Sequence, residues 1–244
     1  MRRWRRPGVF AVALTVVGVT MFSALGVWQL RRMQEKERLL AAFDTAARPA
    51  PVPLAGAVEA NAAESFPHVV GPGVFDAERG YLLDERPHDG RFGVDVIAVF
   101  HPSGVSSALL VDRGWVPWDH RPETRPVVPP LPQGEVQVSG IYAPFPGAGI
   151  ALGGDALRGQ ARWPKLTLRL DHEALAADLG QPVLPRMLLL DPAPDSGFVR
   201  EWKPNVMPPQ RHLAYAVQWF ALALAAAVIF VVLHWRNLED ENRG

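Results

Sequence analysis

The chain has 244 residues and sets 25 Lys and Arg against 25 Asp and Glu, a balance that excludes a broadly basic nucleic-acid binder. Apolar residues reach 48% and charged residues only 20%, while 24 prolines and 21 glycines suit neither a long-helix bundle nor a disordered tail. The absence of cysteine excludes disulfides, thiolate zinc sites, iron–sulfur clusters and cysteine nucleophiles, so any metal has to be held by His, carboxylate or Met.

The apolar excess sits in two uncharged runs. After a short tail (residues 1–7) carrying Arg2, Arg3, Arg5 and Arg6, the first run extends from Gly8 to Leu30, and a second extends from Leu213 to Leu233. Each meets the ~20 residues that a membrane-spanning helix requires. A cleaved signal peptide has a shorter apolar core and a small-residue cleavage site. The first run instead ends in Trp28, Gln29, Arg31 and Arg32, which predicts a retained anchor over 8–30. A second span over 212–235 leaves a tail at 236–244. Basic residues flank the first span on both sides, so orientation rests on segment length. Short tails obey the positive-inside rule and long domains cross regardless of charge, which puts both termini in the cytoplasm and residues 31–211 outside a bacterial inner membrane. Trp4, Trp28 and Trp235 fall at headgroup level.

The central segment opens with a charged helical extension, RRMQEKERLLAAFDTAA, which the proline-rich stretch Arg48–Leu54 stops. Strand-like runs follow from His68, Tyr81, Phe92, Ser107, Glu135, Lys165 and Val183, separated by Gly, Pro and Asp turn signals. A single short helix is expected over Asp171–Leu179, with Asp171 as its N-terminal cap and Gly180 as its stop. Pro117–Pro132 holds six prolines and reads as an extended loop. The expected fold is an integral membrane α+β protein: two antiparallel transmembrane helices flanking a mostly antiparallel β domain outside the membrane.

A search for catalytic patterns finds no nucleophile elbow, no phosphate-binding loop, no dinucleotide fingerprint and no zinc-protease helix. No two of the seven histidines lie at the i, i+3 or i+4 spacing that pairs ligands on one helix face. An enzyme is therefore not expected.

The second span opens differently. His212, Tyr215 and Trp219 fall at i, i+3 and i+7, along one stripe of the helix, and the antiparallel arrangement brings Gly26, Trp28 and Gln29 to the same level. A neutral imidazole among aromatics in a membrane, with no thiolate and no second His nearby, suits a haem with a His axial ligand. The ordinary reading makes His212 an interfacial hydrogen-bonding group with Tyr215 and Trp219 as belt and packing residues, and on spacing alone it takes precedence. Arg113 has two readings as well: a guanidinium for a haem propionate, or a strand-end Arg bound to a carboxylate such as Asp112, with Trp115 filling the core. The second is the stronger.

Four blocks in order give the chain a family resemblance. Gly26-Val27-Trp28-Gln29 with Arg32 and Lys36 is similar to a G-x-W-Q-x-x-R-x-x-x-K signature. Gly73-Val74-Phe75, LLDER ending at Arg86, then Gly90 and Gly93 form the second block. Asp112-Arg113-Gly114-Trp115-Val116-Pro117 resembles N-R-G-W-V-P, with Asp112 in place of Asn, and His212-Leu213-Ala214-Tyr215-Ala216 with Trp219-Phe220 resembles H-L-x-Y-A-x-x-W. Together they resemble the SURF1 (Shy1) family of cytochrome c oxidase assembly factors. The resemblance implies a bacterial membrane protein that binds haem a and assists its insertion into the haem-bearing catalytic subunit of the oxidase. It also implies contacts with other oxidase subunits and with the haem a synthesis machinery. It carries a haem-ligand role to His212 and a haem-supporting role to Trp219; Tyr215 enters from the stripe. The Gln210-Arg211 lead-in departs from the family's Asn-rich one. The competing function is a structural membrane partner that clasps oxidase subunits without haem.

Overall fold

A computed structural model of the chain describes residues 2–4, 6–46, 49–60, 66–120, 124–146, 157, 159–202 and 206–237. Arg5, Arg48, Pro122, Gly147 and the tail from 238 lie outside the described residues. Two units compose the chain, Met1–Ala41 with Val206–Gly244, and Ala42–Asn205.

Both uncharged runs are helical, the first from Val9 onward. Strand β1 (Arg2–Trp4) leads into helix α1 (Val9–Ala46), which continues unbroken through the charged extension. Its partner α4 (Pro209–His234) starts four residues before the apolar run, with Pro209 at the first helical position, where a missing N–H costs nothing. Both helices are long and apolar enough to cross a membrane. A core helix of a soluble protein would be mostly buried, whereas Val9 is 86% exposed, Val17 63%, Leu224 66% and Val232 62%. In lipid those side chains are solvated by hydrocarbon.

The helices pack as an antiparallel pair. Phe22 stacks on Trp219 with centroids 5.8 Å apart, and Gln29 meets His212. Between these contacts the Phe220 ring lies over Gly26, where a Cβ would stand only 2.7 Å from it. Small residues permit such close approach of membrane helices. At the opposite end β1 pairs antiparallel with β9 (Trp235–Asn237), and Trp4 packs its indole on Phe230 and His234.

The second unit is built on a closed ring of strands. After β2 (Val52–Pro53) and the short helix α2 (Leu54–Ala60) come β3 (His68–Leu83), β4 (Gly93–Pro102), β5 (Ala108–Pro117), β6 (Glu135–Pro144), β7 (Lys165–Thr167), helix α3 (His172–Leu179) and β8 (Val183–Leu190). Pairing runs β3–β4–β5–β8–β6 and returns from β6 to β3, so five strands close a barrel, with β2 and β7 added beside β3. Four of the five seams are antiparallel and β5–β8 is parallel. Closure leaves none of the five as a free edge.

Alternation sorts the core into layers. Val69, Phe100, Leu109, Tyr142 and Leu188, one from each ring strand, meet in a cluster that Leu54 and Ala57 of α2 join. Ile97, Leu110 and Met187 belong to a second cluster, against Leu175 and Leu179 of α3. Strands β4 and β5 are buried on both faces for this reason.

Asp171 caps α3 by accepting from the Ala174 amide at 3.0 Å, and Gly180 ends it in the left-handed region. No helix or strand occurs between Pro117 and Glu135 among the described residues. The runs from His68 and Tyr81 are one strand rather than two. Asp76 Oδ1 accepts from the amides of Glu78 and Arg79 at a bulge, so the turn signal DAERG bends β3 without ending it. KLTLRL contributes only three paired residues before it leads to α3.

Candidate functional site

The site starts from a polar pair between the membrane helices. Gln29 lies at the twenty-first position of α1 and His212 at the fourth of α4; the antiparallel packing brings them together although 183 residues separate them. His212 Nδ1 lies 2.8 Å from Gln29 Oε1. A carboxamide oxygen only accepts, so Nδ1 carries the hydrogen and donates it. The other ring nitrogen, Nε2, is then a bare lone pair. It is buried with no hydrogen-bond partner among the described residues, on a side chain 8% exposed. Trp118 Nε1 and Gln181 Nε2 are buried without a hydrogen-bond partner among the described residues as well, but those are N–H donors, whereas His212 Nε2 offers a lone pair.

Of the three residues on the predicted stripe, the structure brings two onto the packed seam. His212 and Ala216 are buried, and Trp219 is half-buried against Phe22. Tyr215 stands 45% exposed on the flank. A lone-pair donor at one level and an indole two turns further along are the groups here that could hold a flat, metal-centred ligand. Among the described residues no group of three or more His, Asp or Glu is placed to share a bare metal ion.

Arg113 is committed elsewhere. Its side chain is 7% exposed, donates to the Pro130 carbonyl at 2.8 Å and lies over the Phe198 ring at 4.6 Å. Burial, with Arg200 nearby, lowers its pKa to about 10. The expected carboxylate partner, Asp112, instead accepts from the Gly114 amide. Trp115 is a core residue, as the ordinary reading of that block holds.

The fold also assembles a constellation that no spacing displays. Ser139, His68 and Asp191 converge from β6, β3 and the residue after β8. The shorter bonds run to the carboxylate rather than from serine to base: Ser139 Oγ donates to Asp191 Oδ2 at 2.6 Å, His68 Nε2 meets the same oxygen at 2.9 Å, and Ser139 Oγ stands 3.3 Å from Nε2. Nδ1 of His68 faces the Pro49 carbonyl at 3.3 Å. With an acceptor at each nitrogen the ring favours imidazolium. Burial opposes that form, and the bonds to Asp191 and Pro49 outweigh it and raise the pKa. With Nε2 turned to Asp191 and Nδ1 to Pro49, neither ring nitrogen is free to take a proton from Ser139, and the cluster ties strands together.

A cleft of about 860 Å³ opens on the barrel unit beside Asp84, Phe92, Trp118, His120, Arg125 and Val127. Its imidazole is engaged, since His120 Nε2 lies 2.5 Å from Asp84 Oδ1 and the ring packs on Trp118. Among the described residues the unsatisfied nitrogen lining the cleft, Trp118 Nε1, is a donor only, whereas the lone pair that can ligate a metal is at His212, and chemistry outranks volume here.

The chain is 32% identical over 146 residues to "Surfeit locus protein 1" of Takifugu rubripes, covering 52% of this chain and 59% of that protein. It is 24% identical over 241 residues to the "SURF1-like protein" of Monosiga brevicollis, covering 94% of this chain and 89% of that one. A third match, 28% identical over 94 residues, is to "Cytochrome oxidase assembly protein SHY1" of Saccharomyces cerevisiae, covering 38% of this chain and 24% of that protein. The model of the SURF1 family matches residues 16–224, from the first apolar helix through the barrel to the His212 helix, and the chain therefore belongs to the SURF1 family.

Proposed function

We propose that this chain is a membrane-embedded, non-enzymatic assembly factor for cytochrome oxidase that holds haem a through His212 for delivery to the haem-bearing subunit. The observation that carries the haem reading is the buried, unpartnered Nε2 of His212, with Nδ1 already occupied by Gln29. The assembly role is supported by family membership and by the name of the yeast relative.

Bound haem supplies an iron centre that takes up an imidazole lone pair, and its macrocycle offers a flat apolar face. His212 provides the lone pair, Trp219 an aromatic surface, and Tyr215 a flanking contact from the exposed side of α4. Because Nε2 is covered, the helix pair has to part at this level before a ligand enters, and the free energy of opening is subtracted from affinity. A carrier that must hand its cargo on gains from that penalty. Oxidase subunits and the enzymes that make haem a are the proposed partners, in a bacterial inner membrane.

His212→Ala should remain inserted and abundant while losing co-purified haem, read from the Soret band of protein isolated from cells that make haem a. Wild-type haem content in a stable variant would sink the ligand assignment. It would favour a structural partner, whose Gln29–His212 bond serves only as a clasp between helices.

Orientation follows from the two spans and the short Arg-rich tail. Both tails are proposed to be cytoplasmic and the barrel unit outside. A phosphatase fused at Gly147 should be active and one fused at Arg243 silent; the reverse pattern would invert the topology.

A further inference from the structure

We propose that Gln29 is the positioning residue of this site: its carboxamide oxygen selects the His212 tautomer that leaves Nε2 free to ligate, and fixes the ring's rotation in the seam. The inference rests on the haem reading given above, but its first observable does not need haem.

The argument begins with the 2.8 Å contact between His212 Nδ1 and Gln29 Oε1. Neutral imidazole carries one hydrogen, and its position decides which nitrogen can bind a metal. If Nε2 carried that hydrogen, a buried donor would have no acceptor, and Gln29 Oε1 would face the lone pair of Nδ1. If both nitrogens were protonated, the same orphan donor would remain. Only the Nδ1–H form satisfies every hydrogen on the ring. That form directs a bare lone pair into the seam before any ligand arrives.

Gly26 lets the Phe220 ring lie directly against α1, since a Cβ there would be 2.7 Å from two of its carbons. The Gly26–Phe220 contact and the Gln29–His212 bond lie one turn apart on the same face of α1. The carbonyl also draws on the Nδ1–H bond and strengthens Nε2 as an electron-pair donor to a metal, as acceptors behind metal-bound histidines commonly do. Gln29 thus acts through His212 and need not touch a ligand.

The test uses the full chain in lipid nanodiscs, with ¹⁵N-labelled histidine and no haem. Wild type and Gln29→Glu should show His212 as a single Nδ1–H tautomer, and Gln29→Leu should show a mixture or the opposite form. Haemin titration should then give an affinity roughly 10- to 100-fold weaker for Gln29→Leu. Gln29→Glu should stay near wild type in affinity and lower the reduction potential of the bound haem, because a carboxylate draws on Nδ1–H more strongly. A wild-type tautomer or wild-type affinity in Gln29→Leu overturns the proposal. If that variant fails to fold, an unchanged potential in Gln29→Glu does so. His212→Ala separates the two claims: wild-type haemin affinity there defeats the ligand assignment, whereas its loss beside an unaffected Gln29→Leu defeats only the role of Gln29.

Discussion

Trp115→Ala is expected to destabilise the barrel by about 3–5 kcal/mol and to lower the amount of folded protein recovered from membranes. Trp115 lies near the end of β5 and is 7% exposed. Its Nε1 donates to the Arg86 carbonyl at 2.7 Å, and its ring packs on His88 with centroids 5.2 Å apart. Across the β4–β5 seam Gly93 leaves room for the indole, since a Cβ there would stand 2.5 Å from Trp115 Cζ2. Alanine would open a cavity and also strip the Arg86 carbonyl of its donor. Trp115→Phe should lose less, because an aromatic still fills most of the space. Thermal unfolding of the full chain in detergent measures the effect. A variant with normal stability and abundance but no assembly activity would mean that Trp115 is a contact residue instead.

That tryptophan also shows where the sequence was legible. Polar–apolar alternation marks β6, EVQVSGIY, because a half-buried strand imposes a period of two, whereas β4, β5 and β8 are legible as short apolar runs between turn signals, the pattern of strands covered on both faces. The cap and stop of α3 were readable because Asp171 and Gly180 are chemical punctuation that acts within a few residues. Barrel closure was not readable. It depends on β6 returning to the first half of β3, a pairing between residues such as Val70 and Ser139 that no local pattern encodes. Helix α2 escaped for a related reason: seven residues including Gly56 have little helix tendency of their own, and burial of Leu54 and Ala57 holds them. At the site, the stripe of His212, Tyr215 and Trp219 followed from helical spacing, and the family blocks singled out Gln29. The direct bond from Gln29 to His212 requires the facing rotation of two distant helices, which only three-dimensional packing reveals.

Asp112→Asn should stabilise the protein at neutral pH and flatten part of its pH dependence. Asp112 sits on β5, 5% exposed, with Oδ1 accepting from the Gly114 amide at 3.0 Å. Burial is the main force on its carboxyl, and the neighbouring Asp95 adds repulsion; together they raise its pKa well above the usual range. Asp95 is itself raised by burial, against the pull of Arg86, whose Nε donates to it at 2.6 Å. The folded chain therefore holds a proton on Asp112 that the unfolded chain releases near pH 4. Between that pH and the raised folded value the native state binds more protons than the unfolded state, so stability falls as pH rises through this window and is level on either side of it. Asparagine keeps the oxygen that accepts from Gly114 and carries no charge at any pH. The variant should match wild type below about pH 4 and exceed it above the window, by roughly 1–3 kcal/mol if the buried group is as costly as poorly satisfied polar groups usually are. Asn also stands at this position in the N-R-G-W-V-P block that residues 112–117 resemble. Melting temperatures of the full chain in detergent at pH 4 and pH 8 decide the matter. If Asp112→Asn loses stability with rising pH as steeply as wild type, the proton resides on Asp95 and the Arg86 pair does not hold that carboxylate ionised.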